Sequence, residues 1–280
     1  MLNTFLLNTT ASNNLPASFP SAETQDSIVF NGYGLQNESV ISQILRNNSL
    51  PQRDLETAMK PRAHGEFLNG DFWRRKLITI SGIIKKATKE LFEAELDKFK
   101  QALSEAEAEL DLVINGEIRR YKATLNNPSQ VFEERQGYHV TFTPFSLQFL
   151  VLDPFGKSVD YDSVTYSDLT NLNFTEQVWN SGTVKALPQI ILNFTNASDV
   201  TGVVFKNNTT GEEIEVTQSI SAGDYLKIDA ENCEVLLNGS VVDYEGFFPS
   251  FEVGANSLTV EVGGVSATYT LTYKYKKSFL

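Results

Sequence analysis

The stretch "KELFEAELDKFKQALSEAEAELDLVINGEIRRYKATL", residues 89–125, sets a helical period directly against a strand period. In its first half Phe92, Leu96, Phe99 and Leu103 recur at i, i+4, i+7 and i+11, the single apolar stripe of an amphipathic helix. Thr88 stands where an N-cap belongs, and Glu90 falls in the first turn, where the positive end of the helix dipole favours an acid. The stripe is too short for a coiled coil, so it predicts packing against a sheet, with Glu95, Lys98 and Glu105 on the wet side. In the second half "AELDLVI" and "EIRRYKATL" flank Asn115-Gly116, the residue pair suited to a type I′ turn, and this predicts a hairpin.

Strands extend outward on both sides. Upstream, Leu77, Ile78 and Ile80 read as a strand closing on Gly82. Downstream, "YHVTFTPFSLQFLVL" is a strand region interrupted by Pro144, which belongs at an edge or a bulge. The first half therefore predicts a mostly antiparallel sheet crossed by one helix. From "DPFGKS" to "NSGT" the chain turns polar and turn-rich, which marks a domain boundary near residues 155 to 175. Beyond it come only short strands, from "PQIILNF" to "SATYTLTYKY", separated by signals such as Asn238-Gly239 and Gly263-Gly264. That pattern predicts a β-sandwich of about a hundred residues. The fold class is mainly β with one helix, in three parts: an extended polar arm (1–27), a first domain (28–160) and a second (161–280).

Composition narrows the functions. A length of 280 residues allows two domains with cores of their own. A net charge of −12 and a pI near 4.7 repel phosphate backbones and anionic lipid, so tight nucleic-acid binding and membrane association are disfavoured. The lone Cys233 excludes an intramolecular disulfide and points to reducing conditions; its neighbours Glu231, Asn232 and Glu234 oppose a thiolate, so a buried strand residue is expected. The opening "MLNTFLLNTTASNNLPAS" lacks the basic region of a signal peptide, and no apolar run is long enough to span a membrane. The sequons at Asn8, Asn173, Asn193, Asn196 and Asn208 then reflect a chain rich in Asn, Ser and Thr.

A search for chemistry returns no catalytic, cofactor-binding or metal-binding residues. His64 and His139 are far apart, and neither has a second histidine at ligand spacing. "GYG" and "GEFLNG" lack the order of a phosphate loop, and no G-x-S-x-G elbow occurs. Adjacent acids such as Glu133-Glu134 and Glu212-Glu213 point to opposite faces of a strand and read as solvated surface. Asp224 and Asp229 lie near a turn but lack the oxygen density of a calcium loop.

What remains is Phe72, Trp73, Arg74 and Arg75, two aromatics and two guanidinium groups at the mouth of a strand, in a chain with two tryptophans. Alternation sends Phe72 and Arg74 to one face and Trp73 and Arg75 to the other. On one reading Trp73 caps the sheet core and Arg75 snorkels over it. On the other the four residues are candidates for a protein–protein interface, where Trp and Arg are common anchors.

"IVFNGYGLQN" (28–37), "LPQRDLETAMKPRAHGEFLNGDFWRRKLITISGII" (50–84), the helix and "VINGEIRRYKATL" (113–125) resemble the N-terminal domain of the distal tail proteins of long non-contractile-tailed bacteriophages, the siphophages. "NSGTVKALPQIIL" (180–192), "SAGDYLKIDAENCEVLLNG" (221–239) and "FPSFEVGANSLTVEV" (248–262) resemble their C-terminal domain, with Gly182, Ala186 and Pro188 entering one strand and Gly254-x-Asn256 another. The resemblance starts near residue 28 and rests on the order of short Gly, Pro and Asn marks. It implies a β-sandwich or split barrel that closes into a hexameric ring, followed by a galectin-like β-sandwich. It also implies a virion protein of the tail tip, assembled in the bacterial cytoplasm without a cofactor. The implied partners are the tail tube protein, the tail-associated or tip protein, and a receptor-binding or side-fibre protein. There is no room for an inserted carbohydrate-binding module. Two other classes stay open: an adhesin that stacks host glycans on Tyr244, Phe247 and Phe248, and a glycan-cleaving enzyme, which needs two facing carboxylates. For Phe247 and Phe248, packing at a strand entry is the plainer expectation.

Overall fold

The computed structural model describes residues 28–46, 50–62, 64–126, 128 and 141–280; the polar arm 1–27, Glu133-Glu134 and His139 lie outside the described residues. The first half contains β1 (Ile28–Phe30), β2 (Tyr33–Gly34), β3 (Val40–Arg46), β4 (Arg53–Met59), β5 (Glu66–Trp73), β6 (Lys76–Lys85), α1 (Lys89–Ala102), β7 (Ala108–Ile114), β8 (Glu117–Asn126), β9 (Phe142–Val151) and β10 (Gly156–Ser158). The second contains β11 (Asp162–Leu169), β12 (Asn173–Asn180), β13 (Gln189–Ser198), β14 (Gly202–Asn207), β15 (Glu213–Val216), β16 (Tyr225–Asp229), β17 (Glu234–Leu237), β18 (Ser240–Val241), β19 (Glu245–Gly246), β20 (Gly254–Gly263), β21 (Ser266–Tyr275) and β22 (Ser278–Phe279). The protein is mainly β, with one helix among the described residues.

One antiparallel sheet, ordered β2-β1-β7-β8-β9-β6-β3, surrounds the first core. Asn115 and Gly116 take φ of 54° and 79°, both positive as a type I′ turn demands, and they join β7 to β8. Thr88 accepts a hydrogen bond from the Leu91 amide and caps α1. The helix lays buried Phe92 and Phe99 on the sheet, and Phe99 meets Tyr33 and Phe145 with ring centroids 5.9 and 5.0 Å apart. Two expectations need correction here. Glu95 is not wet: it accepts from the Tyr33 hydroxyl and lies 3.3 Å from the Lys86 ammonium. Burial would raise its pKa, but the bonds from Tyr33 and Lys86 outweigh burial and hold it down. Gly82 does not end its strand either; it sits inside β6, where a Cβ would lie 2.4 Å from the Ile41 carbonyl oxygen and 2.6 Å from the Phe145 ring. Pro144 pairs with Ile83 at a level where the described pairing of β8 with β9 has already ended, at Asn126.

The second core lies between a sheet ordered β11-β21-β13-β16-β17-β18 and one ordered β12-β20-β14-β15-β19. Ile190, Leu192, Leu271 and Tyr273 from the first meet Phe205, Ile214, Leu258 and Val260 from the second, as inward-facing residues of a sandwich must. The polar stretch expected to be turns is largely strand, since β11 and β12 are edge strands of the two sheets. Their outward residues are polar but for Trp179, and Val164, Tyr166, Leu169, Phe174 and Val178 pack inward, so half of each strand looks like loop in the sequence. The last strand leaves the sandwich: β22 pairs with β10, which pairs with β8 of the first sheet. Lys277 on Glu117 (3.1 Å) and Lys157 on Glu231 (2.7 Å) reinforce that seam, and Gly182 packs so tightly there that a Cβ would lie 2.6 Å from the Ser278 carbonyl oxygen.

Candidate assembly surface

β4 and β5 form a two-stranded sheet of their own, a hairpin arm that joins neither large sheet. Its tip turns through Arg62 (φ 59°) and Gly65 (φ 94°), and the Lys60 amide donates to the Gly65 carbonyl at 3.1 Å. Paired residues share a face, so Arg53, Leu55, Thr57 and Met59 stand with Leu68, Asp71 and Trp73, while Asp54, Glu56 and Ala58 stand with Phe67, Gly70 and Phe72. A bulge between Glu56 and Thr57 absorbs Asn69. Leu55, Met59, Phe67, Leu68 and Phe72 are 53 to 83% exposed, so both faces show large apolar side chains to solvent.

Within this arm Trp73 does not cap the core; the Arg53 guanidinium lies 4.8 Å over its ring and is held there by a two-pronged bond to Asp71. Arg74 pairs with Asp54 across the hairpin, and its amide donates to Gln52 at 2.7 Å. Arg75 is exposed and lines a cleft beside the root of the arm, and Lys76 is buried at the start of β6. The run Arg74, Arg75, Lys76 is therefore no basic patch: one base is paired, one exposed and one interior. The sequence drew attention to the aromatics but not to Leu55, Met59, Phe67 and Leu68. Their signal was two faces, each with apolar residues, in adjacent strands with no room in a core.

The other candidates resolve into scaffolding. Cys233 is exposed, not a buried strand residue; it takes φ 53° in the turn between β16 and β17, a conformation that stops the strand from starting there. Asp229 is buried and accepts from Lys227 (2.7 Å), Gln189 (3.0 Å) and Asn232 (3.1 Å). Burial opposes its ionisation, but Lys227 and Asn232 prevail and hold its pKa down. Asp224 closes the turn at Ser221 and accepts from Asn238. Glu212 is not free surface, since it binds the Ser250 amide and hydroxyl and Thr210; Glu213 faces out toward Lys206. His64 is exposed, and among the described residues no three His, Cys, Asp or Glu residues stand as a metal-binding group. Phe248 packs against the second core and against Tyr244 (ring centroids 4.8 Å), but Phe247 is 75% exposed and does not pack as expected. No described helix is long and apolar enough to cross a membrane.

Comparison with known proteins follows the same outline. The SPP1 Dit (gp 19.1) protein, described as a paradigm of the hub adsorption apparatus in Gram-positive-infecting phages, superimposes with a TM-score of 0.66 at 12% identity. That match covers 92% of this chain and 100% of that one. A chain of the phage P2 baseplate in its activated conformation matches less well, with a TM-score of 0.46 at 9% identity over 90% of this chain and 97% of that one. Among curated proteins no sequence matches. Residues 181–277 match the family described as siphovirus-type tail component, C-terminal domain. The likeness to the siphovirus-type tail component family thus covers residues 181–277, and the chain as a whole carries the fold of the SPP1 Dit protein.

Proposed function

We propose that this protein is the structural hub of a phage tail tip. Copies close into a ring that joins the tail tube to the tail-associated tip protein, holds receptor-binding or side-fibre proteins outside, and lets DNA pass. The observation that supports this reading is the end-to-end likeness in fold to SPP1 Dit. Residues 28–160 form the ring, with six copies, and residues 161–280 form the outer domain. The hairpin arm supplies ring contacts to a second copy: Phe72 and Trp73 are its anchors, Arg74 braces it through Asp54, and Arg75 faces the neighbour at its root. No catalytic role is assigned. DNA passes without being held, because Arg74 is neutralised by Asp54 and Lys277 by Glu117 and Asp162.

Negative-stain imaging and sedimentation of the full chain test this. Rings are expected, and a protein that stays monomeric even with the tail tube protein present overturns the reading. Glycan adhesion is a second reading, favoured by Trp179 and Phe247 at 66 and 75% exposure on the outer part of the molecule. It predicts that the monomer itself retains host-cell polysaccharide.

A further inference from the structure

Lys76 is 2% exposed, yet among the described residues no carboxylate pairs with it. Pairing aligns Lys76 with Val151 and Val151 with Ala123, so Lys76 shares the inner sheet face with Tyr121 and Arg119, two and four residues before Ala123 on β8. The Lys76 ammonium lies 5.8 Å from the centre of the Tyr121 ring, and the Arg119 guanidinium lies 4.4 Å over Phe279 of β22. Tyr121 is 1% exposed, and among the described residues its hydroxyl has no hydrogen-bond partner; the buried Arg119 Nε has none there either. Next door Arg120, on the opposite face, is held by Asp111 at 2.7 Å and by Glu109 at 2.9 Å. The chain has 35 acids against 23 bases, yet none of its described acids pairs with Lys76 or with the Arg119 Nε. Buried cations are ordinarily paired, because leaving water uncompensated is costly.

We infer that Lys76, Tyr121 and Arg119 form a binding site for an oxyanion, a phosphate-like ion or a carboxylate, that accepts hydrogen bonds from the ammonium, the phenol and the guanidinium Nε. The ammonium and the guanidinium can only donate and the phenol can donate too, which suits an anion and not a cation. Tyr121 is fixed in place by Gly156, since a Cβ at that position would lie 2.7 Å from the hydroxyl. The anion comes either from solution or from an Asp or Glu of a second copy.

The test is thermal unfolding of the full chain with inorganic phosphate added at constant ionic strength, chloride as the control salt, and protein concentration varied separately. A saturable rise in Tm with phosphate in wild type, weakened at least about ten-fold in apparent affinity in Lys76→Met and reduced in Tyr121→Phe, supports a free oxyanion. A Tm indifferent to phosphate but rising with protein concentration in wild type and not in Lys76→Met supports the neighbour's carboxylate. A wild type and a Lys76→Met variant that respond alike to both, or to neither, overturn the inference. Should Lys76→Met fail to fold, Arg119→Gln is titrated in its place with the same readouts.

Discussion

Replacing Phe72 and Trp73 together by Ala separates the arm's two possible duties, because the structure gives opposite magnitudes for folding and association. Phe72 is 57% exposed and outside the first core. Its truncation should cost the monomer no more than about 0.5 kcal/mol, as at other surface sites. Trp73 loses the Arg53 stack, worth about 0.5–1 kcal/mol at an exposed position. The monomer therefore loses roughly 1–1.5 kcal/mol together, a modest part of the 5–15 kcal/mol of an ordinary domain. At a subunit contact each aromatic anchor is worth about 2 kcal/mol or more, so each truncation weakens every ring contact by about thirty-fold. Urea unfolding below the association range reads the first quantity, and sedimentation velocity at rising concentration reads the second. A variant that forms rings as tightly as wild type, or whose monomer loses more than about 3 kcal/mol, shows that the arm packs on its own chain and refutes the argument.

Trypsin should cut first after Arg62 at the exposed arm tip, while residues 162–180 resist because β11 and β12 are paired along their lengths; mass spectrometry of early fragments checks both. Asp229→Ala should cost about 3 kcal/mol by stranding Lys227 and emptying a buried acceptor, measured by denaturant midpoint. The pKa of Asp229 is depressed in the folded state, so its stabilisation is complete above its unfolded pKa of about 3.9 and lost as pH falls through the lower folded value. The acid limb of a stability–pH curve should accordingly be shallower in the variant. Gly182→Ala should destabilise by about 1–3 kcal/mol and increase hydrogen exchange in Ser278 and Phe279, since the new methyl meets the Ser278 backbone.

What was legible in the sequence depended on how many neighbours a residue needs to declare itself. The Asn115-Gly116 turn and the Phe92–Leu103 stripe are local, and both stand as read. Edge strands hide because only one face is buried: "NFTEQVWN" offers Phe174 and Val178 inward and, Trp179 apart, polar residues outward, which imitates a loop. Gly82 looked like a terminator because its reason, the Phe145 ring and the Ile41 carbonyl, lies on two other strands. The arm was half legible. Phe72 through Arg75 stood out by type, but only pairing with β4 shows that Arg53 and Asp54 consume the charge of Asp71 and Arg74 and leave apolar groups exposed. Lys76 gave no signal at all, since a lysine after two arginines reads as surface.

These charge assignments bear on how copies can meet. Each copy carries −12, and several of the bases that would offset it outside are committed to internal pairs: Arg53, Arg74 and Arg120 in the first half, Lys157 and Lys277 along the seam. Approaching copies therefore repel over a screening length of about 8 Å at physiological salt, and long-range attraction cannot assemble them. The drive has to come from short-range burial, and the arm holds the densest set of exposed apolar side chains in the first half. Added salt then screens the repulsion and leaves the apolar contact intact, so association strengthens with ionic strength. An interface built on Arg74 and Arg75 as free cations would weaken instead. The sign of that dependence follows from Asp54 having already taken Arg74, a pairing visible only once β4 is laid beside β5.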